Sequence, residues 1–200
     1  MTQRILSLIF ALVGWFSIIA QYYLMVKNIQ ISFAEANIRF FSYFTILTNI
    51  IVAGYFTLQA FNRIPKIKKP GILTAITIYI LIVGLVYQII LRSTWDPKGL
   101  QRLVDELLHT IIPILVLIYW YLYENKNKLN YRQILPWAIY PLLYLFYILI
   151  RGYFSDFYPY PFINAINLGY FQVLINSFGI LLLFAALSML FVRIGKSLNK

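Results

Sequence analysis

The chain has 200 residues, of which 62% are apolar and only 12% charged. A soluble domain of this size carries about 25% charged residues, so the composition excludes an ordinary soluble domain and points to an integral membrane protein. The formal net charge is +11, but Lys and Arg sit in short loops between apolar runs, a pattern of membrane topology and headgroup contact that gives no case for a nucleic-acid partner.

There is no cysteine, which removes thiol chemistry and disulfides. One histidine and no cluster of carboxylates leave no set of metal ligands, and no cofactor is expected. No loop is long enough to fold alone, so residues 1–200 are read as a single all-α membrane domain.

Six apolar runs follow one another, each near the ~20 residues that span hydrocarbon: Ile5–Val26, Ile38–Ala60, Ile72–Leu91, Leu103–Tyr123, Ile134–Ile150 and Leu168–Val192. The expectation is a bundle of six transmembrane helices. The first run is too long for a signal peptide and no small-residue cleavage site follows it. The N-terminus, the second and fourth loops and the C-terminus carry Arg4, Arg63, Lys66, Lys68, Lys69, Lys126, Lys128, Arg132, Arg193, Lys196 and Lys200. The other side carries Lys27, Arg39, Arg92, Lys98, Arg102 and Arg151. That asymmetry of 11 to 6 places both termini in the cytoplasm of a multi-pass protein of the cell membrane. The stretch Ile64–Gly71 supplies most of the bias, and its prolines and glycine separate spans two and three. Pro136 is near the start of span five and Pro141 can kink it. Tyr153–Asn167 is too polar and too broken by Pro159 and Pro161 to span, and reads as an aromatic cap on the outer face.

Two polar sites interrupt the apolar pattern. In span four, Asp105, His109 and Pro113 are four apart and share a helix face. A titratable ring in a lipid-spanning helix normally faces the bundle interior or a wet cavity. In span two, Thr45, Thr48 and Asn49 form one polar face. Each site has a bland reading beside a chemical one. Thr and Asn glue membrane helices together, His109 can be a buried ring bonded to a neighbour, and Asp105 and Glu106 suit a helix N-terminus. Alternatively, Thr45 and His109, each about 10 Å below the outer boundary on helices of the same direction, meet as a hydroxyl and its base. Asp105 then sets the histidine tautomer. Arg92 and Arg151 end spans three and five, and either bind an anionic headgroup or carboxylate or snorkel to the interface. Gln172 and Asn176, four apart in span six, position a substrate or bind helices together.

At these residues the chain resembles the androgen-induced and androgen-dependent membrane protein family of six-span threonine hydrolases and their bacterial relatives. The resemblance rests on Tyr43-Phe44-Thr45, on the H-T-x-x-P pattern of His109-Thr110-Ile111-Ile112-Pro113, and on Tyr160-Pro161-Phe162. It implies a threonine nucleophile at Thr45 and a catalytic histidine at His109, acting on lipid esters such as fatty acid esters of hydroxy fatty acids. The chain departs from the family in its acidic Asp105-Glu106 and in Thr48-Asn49, where the family carries an acidic residue. The expected partners are the lipid bilayer and a lipid-like substrate, with Thr48 or Asn49 donating to the oxyanion. The alternatives are a non-enzymatic membrane scaffold, in which the polar residues are all glue, and a small proton-coupled transporter with Asp105 and His109 as relay.

Overall fold

The computed structural model describes residues 1–61 and 69–197. Arg63, Pro65, Lys66 and Lys68 of the basic loop, and Lys200, lie outside the described residues. Among the described residues there are helices and their connections and no strand. Six helical stretches are long and apolar enough to cross a membrane: Thr2–Lys27, Phe44–Phe61, Ile72–Thr94, Leu100–Tyr123, Tyr131–Ser155 and Ala165–Ser197. The chain divides into two compact units, Met1–Lys128 and Leu129–Lys200.

The first unit contains α1 (Thr2–Lys27), α2 (Phe33–Phe40), α3 (Phe44–Phe61), α4 (Ile72–Val86), α5 (Leu100–Glu106) and α6 (Ile112–Tyr123). A π-helical turn, Tyr87–Leu91, prolongs α4, and another, Leu107–Ile111, joins α5 to α6. Neighbouring spans alternate in direction. Gln101 near the start of α5 donates to Gln21 near the end of α1 (2.9 Å), and Ser7 near the start of α1 meets the Tyr119 hydroxyl near the end of α6 (2.8 Å). α3 and α5–α6 therefore run the same way, opposite to α1 and α4. Helices α1 and α3 approach most closely at Gly14, where a Cβ would stand 2.9 Å from that of Ala53. Ile18, Phe40, Ile46, Ala53, Val104 and Leu108 form a buried cluster where α1, α2 and α3 meet α5 and the turn after it.

The second apolar run does not form one helix from Ile38. The Ser32 hydroxyl accepts the Glu35 N–H and starts the separate helix α2. Its end is closed by tight backbone bonds from Ser42 to Arg39 and from Tyr43 to Phe40, while the Ser42 side chain donates back to the Ile38 carbonyl. The spanning helix begins afresh at Phe44, so Thr45 lies in its first turn.

At the opposite end of this unit, Glu124 follows α6 and its carboxylate accepts from the Thr74 N–H (3.0 Å), the Thr74 hydroxyl (2.8 Å) and the Gly71 N–H (3.4 Å). A carboxylate from another helix thus caps the otherwise unmatched N–H groups at the start of α4, where it also suits the helix dipole. Gly71 turns the chain into α4 with φ 91°, a conformation open to glycine.

The second unit contains α7 (Ile134–Ser155) and α8 (Ala165–Ser197). Pro141 lies inside α7, and α8 is bent at Gly169, whose φ is 73°. The segment between them holds Tyr158, Tyr160 and Ile163 buried. A Cβ on Gly152 would collide with the Tyr158 ring, so only glycine lets that ring pack on α7.

Candidate functional site

The two π turns carry the chemistry of the first unit. In the second of them, Pro113 has no N–H to give the His109 carbonyl, and a proline ring clashes with the carbonyl four residues earlier. The helix widens there: the Ile112 N–H bonds the Leu107 carbonyl five residues back. Gly84 on α4 lies against this wide turn, with space for a Cβ only 3.0 Å from the His109 carbonyl oxygen. The wide turn and the close approach direct two successive side-chain pairs, Asp105 with His109 and Glu106 with Thr110, toward α4 and its own π turn.

The first pair is the buried one. Asp105 is 3% exposed. His109 Nδ1 lies 2.9 Å from the Asp105 carbonyl oxygen and 3.2 Å from carboxylate Oδ1. A carbonyl can only accept, so Nδ1 carries a proton, and in the neutral ring Nε2 is the bare nitrogen. Nε2 makes no hydrogen bond to a described residue. The other carboxylate oxygen, Oδ2, accepts from the Tyr87 hydroxyl. The Tyr87 ring is stacked on the imidazole, centroids 4.1 Å apart.

The second pair is closed into a ring. Arg92 pairs with Glu106 and donates to Gln88 Oε1 (2.8 Å). Gln88 Nε2 donates to the Thr110 hydroxyl (2.8 Å), and Thr110 donates to Glu106 Oε2 (2.7 Å). The Arg92 charge, which the sequence left either to an anionic headgroup or carboxylate or to snorkelling, is balanced by Glu106 within the protein.

Thr45, Thr48 and Asn49 are all buried on α3. Asn49 links this polar face to the histidine helix: its Nδ2 donates to the Thr45 carbonyl (2.8 Å) and reaches the Leu108 carbonyl (3.4 Å). Both amide hydrogens are thereby directed at carbonyls, while Asn49 Oδ1 is buried without a hydrogen-bond partner among the described residues. Because one amide nitrogen reaches both carbonyls, the Thr45 turn of α3 lies beside Leu108, the residue just before His109.

Arg151, Gln172 and Asn176 belong to the second unit. Arg151 donates to the Phe157 carbonyl (3.3 Å) and lies 4.9 Å over the Phe157 ring. Gln172 donates to Asn176 (2.9 Å), which donates to the Phe162 carbonyl (2.8 Å). These side chains hold the 153–164 segment to α7 and α8.

Sequence reasoning found the Asp105–His109 pair from its spacing and missed Tyr87. The signal was faint: a tyrosine in an apolar run, in a chain with 17 tyrosines. The ring of four had a clearer trace in the spacings Gln88 to Arg92 and Glu106 to Thr110. No protein-family model, curated protein or solved structure matches this chain.

Proposed function

We propose that the chain is an intramembrane hydrolase of lipid esters, with Thr45 as nucleophile and His109 as general base. The observation that carries this reading is the state of His109: its Nδ1 proton is held by Asp105, which leaves Nε2 as an unbonded base. The choice of Thr45 and of an ester of the hydroxy-fatty-acid type rests on the resemblance at Tyr43-Phe44-Thr45 and at His109-Thr110-Ile111-Ile112-Pro113. Asn49 supports the pairing by joining α3 to the residue just before His109.

In this reading Thr45 Oγ1 attacks the ester carbonyl while His109 Nε2 takes its proton. The proton passes to the leaving alcohol as the ester bond breaks. Water, deprotonated by the same nitrogen, then attacks the acyl-threonine, and the proton returns to Oγ1 as the acid departs. The oxyanion role belongs to the Thr48–Asn49 face of α3, beside Thr45. Both termini are cytoplasmic, and the lipid enters from the outer leaflet.

The test is labelling of the purified protein by a lipid-like fluorophosphonate, compared between wild type, Thr45→Ala and His109→Ala. Labelling of wild type alone is expected. Unlabelled wild type, or equal labelling of Thr45→Ala, would remove the nucleophile. The closed ring of Gln88, Arg92, Glu106 and Thr110 favours a second reading, a scaffold held by polar glue, under which wild type and variants alike stay unlabelled.

A further inference from the structure

Asp105 and His109 lie on one helix, and a helical pair four apart has several rotamer combinations open to it. Two contacts from Tyr87, on a different helix, narrow that choice. Its hydroxyl donates to Asp105 Oδ2, which turns the other oxygen, Oδ1, to within 3.2 Å of His109 Nδ1. Its ring covers one face of the imidazole with planes 13° from parallel, so rotation of the imidazole about its Cβ–Cγ bond collides with the tyrosine. A carboxylate oxygen can only accept, so the phenolic proton is directed at Asp105.

We propose that Tyr87 is the positioning residue of the site, acting through Asp105 and through its ring to hold His109 in the Nδ1–H tautomer with Nε2 bare. The catalytic meaning of this role rests on the hydrolase reading above, but the tautomer itself is a physical property that can be read without any substrate. Tyr87 touches no reacting atom. It fixes which nitrogen of His109 accepts a proton and where that nitrogen points, the kind of outer support whose loss typically costs about 10–100-fold. Free imidazole side chains favour the opposite tautomer, so loss of the restraint has a signature of known direction.

His109 is the only histidine of the chain, so a protein made with ¹⁵N-histidine gives two ring-nitrogen signals that need no assignment between residues. In detergent micelles the wild type is expected to show a protonated Nδ1 and an unprotonated Nε2. Tyr87→Phe keeps the ring and loses the hydroxyl, and its signals should move toward the averaged positions of a mixed tautomer. Tyr87→Leu loses both contacts and should move further, toward Nε2–H. Asp105→Ala marks the limit of a ring held by the backbone carbonyl alone. Ester turnover, where found, should fall about tenfold in Tyr87→Phe and further in Tyr87→Leu, with melting temperature in Tyr87→Phe near that of wild type. A wild type with Nε2–H, or Tyr87→Phe with wild-type nitrogen shifts, would overturn the proposal. Absence of turnover in wild type with the expected tautomer shifts would remove the hydrolase and leave the positioning role of Tyr87 in place.

Discussion

The imidazole of His109 and the phenol of Tyr87 lie face to face, 4.1 Å between centroids, although they come from two different π turns 22 residues apart in sequence. Each turn alone would be a local irregularity of a helix. Together they present a tyrosine, an aspartate and a histidine to one another.

Asp105→Asn tests how much of the histidine's orientation comes from the carboxylate. The Asp105 backbone carbonyl still holds the Nδ1 proton, so ester turnover should fall by about a hundredfold and remain above that of His109→Ala. Turnover equal to wild type would show that the carboxylate contributes nothing to the base.

Gly84→Ala tests the close approach of α4 to the wide turn. A Cβ there presses on the His109 carbonyl and on Pro113, both at 3.3 Å or less. Overpacking of this kind costs about 1–3 kcal/mol. The expected outcome is a lower melting temperature together with loss of the histidine tautomer signature, because the strain falls on the helix pair that carries the stack. Unchanged nitrogen signals in a destabilised variant would separate the packing from the site.

The Arg92–Glu106 pair is open to solvent, with side chains 45% and 28% exposed. A double-mutant cycle with Arg92→Ala and Glu106→Ala should therefore give a coupling of only about 0.2–1 kcal/mol, reduced further by salt. Since Glu106 already balances Arg92, the Arg92→Ala change should leave KM for a lipid ester within about threefold of wild type, a shift worth less than the ~1.4 kcal/mol of a tenfold change. A tenfold rise in KM would return Arg92 to the role of substrate-binding residue.

Glu124→Ala should lower stability by about 2 kcal/mol, the scale of a charged group bonded to the N–H groups of a helix start. Glu124→Gln keeps an accepting oxygen and should lose about half as much. Thermal unfolding in detergent reads both. Equal melting temperatures for all three proteins would show that the clasp on α4 is idle.

Tyr158 gives a dependence on pH. Burial, with help from the nearby Tyr170 and the charge of Asp156, pushes its phenol up to about 12, from an ordinary value of about 10. The folded chain therefore keeps a proton that the unfolded chain has released. Stability from this group is fully present below pH about 10 and is lost as pH rises toward about 12. Melting temperature measured from pH 9 to pH 12 (roughly spanning both values) should fall more steeply in wild type than in Tyr158→Phe. Parallel curves would dismiss the contribution.

Hydropathy made the six long helices legible because a lipid-spanning helix needs a long apolar run and little else. It could not see the break before Thr45, since Ile38 to Phe44 is nearly as apolar as the helix that follows. The warning was polar and local: Ser32 three residues before Glu35, the spacing of an N-terminal cap. The Asp105–His109 contact was legible because both residues lie on one helix, where spacing fixes proximity. Its supports were not. Tyr87 reaches Asp105 through the packing of α4 against α5, and the partners of Arg92 follow from the same packing, which no single stretch of chain encodes.

The four-membered ring of Gln88, Arg92, Glu106 and Thr110 has a consequence for the charge that the hairpin tip presents. Moving separate ions toward hydrocarbon is expensive, whereas an ion pair whose remaining donors and acceptors are already engaged is much less so. The tip of the α4–α5 hairpin carries its arginine and glutamate as such a self-contained dipole. Its field falls off as that of a dipole, so the tip acts on its surroundings as neither a cation nor an anion.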